Sequence, residues 1–189
     1  CSAQRATPTQ SSNNQLRKES IMEKHTPKTR QLIYDNGIYR KTWCGPYAIA
    51  TVCGTEYEDA YRVARSIRGK RHAKGINISD LENSCKRLGV TGEWHSIKDT
   101  PFGKRTRLER FLPTLLPNKV YVIMITKHFL VVDTRDMTTI DSQVPEWIAV
   151  EMTKHKTKLV HNYFVVENPK FEAKTQGDWL ILPLAAGAN

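Results

Sequence analysis

Several features that would assign this chain to a common class are missing from its sequence. It has no run of about 18 apolar residues, so no helix is predicted to span a bilayer. Its N-terminal region has no charged segment followed by an apolar segment, so no secretory signal is predicted. We therefore expect no membrane span and a cytoplasmic or virion-like location.

Cysteine is scarce and is not arranged in pairs. The four cysteines, at positions 1, 44, 53 and 85, include no CxxC pair. Zinc ribbons and disulfide frameworks depend on such spacings, so we expect neither a metal site nor a disulfide, and no cofactor. Cys53 and Cys85 fall on apolar helical faces, where cysteine usually acts as a small buried hydrophobe.

Acidic residues are too few to balance the basic ones. Lysine and arginine total 29 against 19 acidic residues, for a formal net charge of +10. This balance favours an anionic partner, such as nucleic acid, an acidic protein or a membrane face, although a solvated basic surface remains an alternative. The basic loops lack aromatic residues among their charges, so they are not expected to stack on bases. Any contact with nucleic acid is therefore predicted to be nonspecific and to phosphates. The candidate contacts are Arg68, Lys70, Arg71, Lys74, Lys154, Lys156 and Lys158.

The 189 residues are enough for one domain with one core. Residues 1–30 are mostly polar and basic, which predicts a disordered basic tail. Residues 31–184 are expected to fold as the domain, with 185–189 as a loose C-terminus. Within the domain, helical periodicity and capping patterns, including Thr55 and Ser79 as caps, come first. Strand-like runs begin near residue 120, which predicts the α+β class.

Cys44 is the strongest candidate for a reactive group. Pro46 in a first turn and Gly54 at the end predict a short helix that begins beside Cys44. Unpaired amides and the helix dipole at this position favour a thiolate, which is the reactive form of cysteine. Gly45 would leave room for a substrate backbone. A buried structural cysteine is the alternative.

His128 is the best candidate base because it begins a β-rich run, from which a histidine could reach Cys44. His95 is the reserve candidate. We expect His155 to be solvated within a lysine-rich loop. The remaining histidines are less suitable by their positions in the tail, in a basic loop or beside a strand: His25, His72 and His161.

Asp141 is the candidate that orients His128 by accepting a hydrogen bond from its imidazole. A hairpin turn centred between Arg135 and Asp136 would place Asp141 on the same sheet face as His128, one diagonal step away, and a one-position shift would place them directly opposite. Asp133 has the opposite parity and should point away. An exposed carboxylate at a strand end is the alternative for Asp141.

The residues Trp43-Cys44-Gly45-Pro46 before a small-residue helix, with His128 at the head of one strand and Asp141 on the next, resemble papain-like cysteine peptidases. The pattern is most similar to bacteriocin-processing peptidases and small phage-encoded peptidase-like proteins, over about residues 34–166. The resemblance implies a papain-like α+β fold, in which N-terminal helices, including the nucleophile helix, pack on a C-terminal antiparallel β-sheet.

The resemblance also implies a thiol hydrolase that cleaves a peptide or isopeptide bond of a protein or peptide substrate through a Cys44 thioester. Such families commonly supply a glutamine before the cysteine to complete the oxyanion hole, and none is present here. Asn36, Tyr39 or Thr42 would have to replace it. An amidase or acyltransferase would share these residues.

The missing glutamine also supports a non-enzymatic alternative. In this alternative the chain is a catalytically weak or inactive peptidase-like module that contacts an acidic partner, other virion proteins or nucleic acid, for example inside a phage particle.

Overall fold

A computed structural model describes residues 24–27, 42–70, 73 and 75–171 of the protein. Within them the helices come first and an antiparallel sheet follows, so the predicted α+β class is confirmed. No helix of the described residues is long and apolar enough to cross a membrane. The four α-helices are α1 (Cys44–Cys53), α2 (Tyr57–Arg68), α3 (Ile78–Arg87) and α4 (Leu108–Phe111).

Helix α1 forms as its sequence predicts. Pro46 lies in the first turn, where a missing backbone N–H costs nothing. Gly54 ends the helix in the left-handed conformation, at φ 59°, and its N–H contacts the carbonyls of Ala50 and Thr51. Every residue of the helix after Cys44 is buried, so packing stabilises a segment too short to be helical alone.

Two predicted caps lie elsewhere. Helix α2 begins at Tyr57 with Glu56 as N-cap, and no side-chain capping bond forms there, so Thr55 is not the cap. Helix α3 is capped by Asn77 instead of Ser79, because Asn77 and Asp80 bond each other's backbone N–H reciprocally. The N-cap lies one residue later than predicted in α2 and two residues earlier in α3, and both helices are present where they are predicted.

The described strands form one six-stranded antiparallel sheet in the order β1-β6-β2-β3-β4-β5. Strand β5 is not predicted from the sequence, since Pro145 and Glu146 interrupt its apolar pattern. It lies at the sheet edge, where proline is tolerated. The strands are β1 (Gly92–Ser96), β2 (Val120–Ile125), β3 (His128–Asp133), β4 (Thr138–Asp141), β5 (Val144–Ala149) and β6 (Val160–Val166).

The sheet separates two apolar clusters, because alternate residues of each strand point to opposite faces. On β2, Val122 belongs to the cluster that includes α1, α2 and α3, whereas Ile123 belongs to the cluster that includes α4. On β3, Val131 and Leu130 divide in the same way. The helix that carries Cys44 is thereby held against the strands of the sheet.

The hairpin between β3 and β4 has the first of the two predicted registers. Val131 pairs with Ile140, and Asp133 pairs with Thr138, which centres the turn between residues 135 and 136. Continuing this register places residue 130 opposite Asp141, so His128 lies one diagonal step from Asp141 on the same face.

Lys24 corrects the prediction that residues 1–30 are all tail. Its side chain is 1% exposed, and Nζ lies 2.8 Å from Asp133 Oδ2 and 2.6 Å from Asp136 Oδ1. The ammonium also lies 4.4 Å from the centre of the Trp147 ring. A buried charge is stable only when it is paired, and the two carboxylates of the β3–β4 hairpin provide that pairing.

Candidate active site

Cys44 occupies the first position of α1, as the sequence predicts. Trp43, the preceding residue, is the N-cap and makes no side-chain capping bond. Its backbone N–H donates instead to the Tyr57 hydroxyl at 2.9 Å, and Tyr57 is buried at the start of α2. The entry to α1 is thus fixed by a neighbouring helix, which sets the position of the thiol.

Gly45 has a packing role that the sequence does not predict. It is buried, and a Cβ atom at this position would overlap the side chain of Ile76. The absence of a side chain therefore allows α1 to pack closely against the segment that leads into α3. Packing is therefore a sufficient reason for glycine at this position, and room for a substrate backbone stays a prediction.

The Cys44 thiol has three partners that favour its anion. Burial by itself would raise the pKa of the thiol, but a hydrogen bond with His128 and the charge of that ring lower it. The backbone N–H groups of Phe129 and Gly45 also bond to the sulfur. These contacts outweigh the burial and hold the pKa of Cys44 below the 9.0 of an ordinary thiol.

His128 lies between Cys44 and Asp141. Its Nε2 is 3.3 Å from Asp141 Oδ1, which leaves Nδ1 to face the thiol. Burial would lower the pKa of His128, but its contacts with Asp141 and Cys44, together with their charges, raise it to about 9. The pKa shifts of Cys44 and His128 are therefore both in the direction that favours an imidazolium paired with a thiolate.

Asp141 is held as a charged acceptor. Burial would raise its pKa, but the contact with His128 and a backbone N–H bond lower it. Oδ1 accepts from the backbone N–H of Gln143 at 2.6 Å and of Val144 at 3.2 Å. These two bonds belong to the turn between β4 and β5, so local backbone geometry orients the carboxylate before any histidine does.

His155 is the member of the site that the sequence does not predict. The expectation of a solvated histidine is wrong: it is 6% exposed, and its Nε2 lies 3.1 Å from Asp141 Oδ2. Burial lowers its pKa, and the charge of His128 opposes protonation further, so the ring is neutral at neutral pH. Because a carboxylate can only accept, His155 donates the Nε2 proton to Asp141.

The segment around His155 is fixed by backbone contacts. Two otherwise unpaired N–H groups at the start of α4, those of Leu108 and Glu109, donate to the carbonyls of Lys158 and Lys156. His155 itself accepts a turn bond from the Lys158 N–H. This arrangement explains why α4 needs no side-chain cap, and it turns the histidine of a basic loop inward.

Two polar atoms at the site are buried without a hydrogen-bond partner among the described residues. One is His128 Nε2, which is near Asp141 but poorly aligned for a bond. The other is the hydroxyl of Tyr47, one turn after Cys44 on α1. Burial and the charge of Asp141 raise the pKa of this phenol, so it remains protonated. Buried polar atoms are rarely left unpaired, so both need an explanation.

The other candidate residues do not join the site. His95 stacks on Tyr163 with ring centres 5.1 Å apart, and His161 lies 3.1 Å from the Thr126 hydroxyl. Asp133 faces Lys24 and Arg135, as its parity predicts. His25 contacts the Thr55 carbonyl. His72 lies outside the described residues.

Of the proposed oxyanion donors, Thr42 is half-buried two residues before Cys44. Asn36 and Tyr39 lie outside the described residues, as do the basic candidates Arg71 and Lys74. Three lysines among the remaining basic candidates are exposed, whereas Arg68 and Lys156 are half-buried. The exposed ones are Lys70, Lys154 and Lys158.

No protein-family model matches this sequence, and no protein of the curated set is significantly similar to it.

Proposed function

We propose that the chain is a papain-like thiol hydrolase that cleaves a peptide or isopeptide bond, with Cys44 as nucleophile, His128 as acid and base, and Asp141 as the residue that orients His128. The observation that supports it most is the order of contacts: a thiol at a helix N-terminus, hydrogen-bonded to an imidazole whose other nitrogen lies 3.3 Å from a buried carboxylate.

The chemistry follows from these contacts. The Cys44 thiolate attacks the carbonyl carbon of the substrate, and the carbonyl oxygen takes the negative charge. The His128 imidazolium gives its proton to the leaving amine as the carbon–nitrogen bond breaks, which forms the thioester. Neutral His128 then takes a proton from water, which attacks the thioester and restores the thiolate.

The negative oxygen needs donors close to Cys44. The backbone N–H of Cys44 lies in the first turn of α1, where amides have no intrahelical acceptor, and it is the first candidate. Thr42 is the candidate side-chain donor among the described residues. Loss of one such donor typically lowers the rate by about 100-fold or more, so Thr42→Val should lower kcat with little change in KM.

Labelling with a thiol-directed electrophile tests the proposal. Cys44 should be labelled in preference to Cys53 and Cys85, which are buried and provide internal controls. His128→Ala should remove that preference, and His95→Ala, at a histidine outside the site, should retain it. Equal labelling of wild type and His128→Ala would contradict the proposal and favour a binding module on the same fold.

A further inference from the structure

Three buried side chains converge beside Cys44 from different parts of the chain. His128 begins β3, Asp141 ends β4, and His155 follows β5. They are 8%, 5% and 6% exposed. One nitrogen or oxygen atom from each lies within 4.8 Å of the other two. A hydrolase that needs only one histidine leaves the position of His155 unexplained.

The two contacts with Asp141 are close to the spacing of ligands around a zinc ion. Tetrahedral zinc, with bonds of about 2.0–2.2 Å, places its ligand atoms about 3.3 Å apart. The two closest contacts join His128 Nε2 to Asp141 Oδ1, at 3.3 Å, and His155 Nε2 to Asp141 Oδ2, at 3.1 Å, and one ligand atom from each residue lies within 4.8 Å of the other two. Because the two imidazoles contact different oxygens of Asp141, they would have to move closer to each other around an ion to complete such a set.

An unpaired atom provides the second, independent observation. His128 Nε2 is buried and has no hydrogen-bond partner among the described residues, although Asp141 is only 3.3 Å away. The carboxylate is already occupied by two backbone N–H groups and by His155. A nitrogen that faces a carboxylate without a well-aligned bond is suited to coordinate a cation between them.

We infer that His128, Asp141 and His155 form a binding site for a divalent zinc-like ion. Two imidazole nitrogens and one carboxylate oxygen are a ligand set that zinc accepts, and three protein ligands leave a fourth position for water. Binding would release a proton from His128 Nε2 and move the Nε2 proton of His155 to its Nδ1, because a ligating nitrogen is unprotonated. Cys44 is not a ligand in this arrangement, because it bonds to His128 on the side away from Asp141.

The ion would also control the proposed hydrolase, a consequence that rests on the proposed function. Coordination uses the lone pair of His128 Nε2, and the neutral metal-bound ring keeps its remaining proton on Nδ1. Such a ring has no lone pair left to receive a further proton. His128 could not then cycle between base and acid, so zinc would inhibit the enzyme reversibly, and a chelator would restore it.

Metal binding can be measured without activity. The metal-free full chain is titrated with Zn²⁺ in competition with a chromogenic chelator, and with Co²⁺ to record the ligand spectrum. We expect one tight site per chain and a cobalt spectrum without sulfur-to-metal charge transfer. His155→Gln, which keeps a donor for Asp141 but removes the imidazole, should bind zinc at least about 100-fold more weakly, since loss of mere supporting residues already costs 10–100-fold.

Two further variants separate this site from its alternatives. Cys44→Ser should bind zinc as the wild type does. If zinc were instead held by the Cys44 thiolate and His128, this variant would not bind it. His95→Gln is the matched control at another histidine beside a carboxylate, 3.6 Å from Glu93, and should change nothing. Circular dichroism confirms that each variant is folded before titration.

The inference is overturned if His155→Gln binds like the wild type, if Cys44→Ser abolishes binding, or if the wild-type cobalt spectrum shows a thiolate band. If His155→Gln does not fold, the wild-type cobalt spectrum alone still shows whether a thiolate is a ligand. Failure of the proposed function gives a different result: Cys44 is then not labelled preferentially by the electrophile, while the wild type and Cys44→Ser still bind zinc.

Discussion

Asp141→Asn should weaken the ion pair between Cys44 and His128, whereas Asp133→Asn should leave it unchanged. Both carboxylates are buried on the same hairpin, so they form a matched pair. Asp141 lies 3.3 Å from His128 Nε2, and Asp133 is bound to Lys24 and Arg135 on the other face. The comparison separates the chemistry of the site from the stability of the hairpin.

The size of the effect follows from His128. A rise of its pKa from 6.5 to about 9 corresponds to a preference of about 3 kcal/mol for the protonated ring. The contact with Asp141 is the largest of the contributions that raise it. Replacing that carboxylate by an amide should therefore lower the pKa of His128 by about one unit or more. This corresponds to about a tenfold decrease in the equilibrium constant for forming the ion pair from the neutral side chains.

The assay is the rate of Cys44 alkylation by iodoacetamide, followed by peptide mass spectrometry. An ordinary thiol of pKa 9.0 has about 100-fold less thiolate at pH 6 than at pH 8. In the wild type the rate should change only a few-fold over this range, because the thiolate persists as the ion pair. Asp141→Asn should react more slowly at pH 6, and Asp133→Asn should follow the wild type.

Two results would refute this reasoning. A wild-type rate that rises about 100-fold between pH 6 and pH 8 would show that Cys44 is not activated. If Asp133→Asn slows the alkylation in a folded protein and Asp141→Asn does not, then Asp133 and not Asp141 orients His128. Urea unfolding of each variant shows whether it is folded at the pH of the assay.

Three further predictions concern stability. Lys24→Met leaves Asp133 and Asp136 without their buried cation, so it should lower the free energy of unfolding in urea by about 3–5 kcal/mol. The exposed control Lys98→Met should lower it by at most about 0.5 kcal/mol. A loss similar to that of the control would mean that the contact of Lys24 with the hairpin is weak. Gly45→Ala should lower the free energy of unfolding by about 1–3 kcal/mol because its Cβ overlaps Ile76, and adding Ile76→Ala to the same chain should recover part of that loss. If the losses of the two single variants simply add in the double variant, the overlap is excluded. The pKa of Asp133 and of Asp141 is lowered below 3.8 by folding, so their contribution is present above about pH 4 and is lost as the pH falls through the folded values. Asp133→Asn should therefore flatten the acid limb of an unfolding curve, and an unchanged limb would contradict the pairing.

The sequence was sufficient for features that depend on neighbouring residues. Pro46 and Gly54 bound a short helix, which places Cys44 at its first position. The alternation of side chains along a strand, together with a short hairpin turn, places His128 and Asp141 on one face and Asp133 on the other. These rules act over a few residues, so they can be applied without knowing the fold.

The same rules failed where a residue's role depends on a distant partner. Lys24 is in a polar segment with no local signal of burial, and it is buried because two carboxylates of a hairpin more than 100 residues later need a cation. Gly45 follows a cysteine for a reason that only its packing against Ile76 reveals.

His155 illustrates the difference most clearly. Its neighbours are lysines, and local composition favours a solvated loop. The start of α4 holds the carbonyls of that loop, and the end of β4 provides the acceptor for its imidazole. By itself, then, the sequence determined where Cys44 and His128 lie and which face of the hairpin carries Asp141, because those positions follow from helix and strand periodicity. Only the tertiary structure decided that a second histidine shares Asp141, because contacts between separate segments are set by how the elements pack.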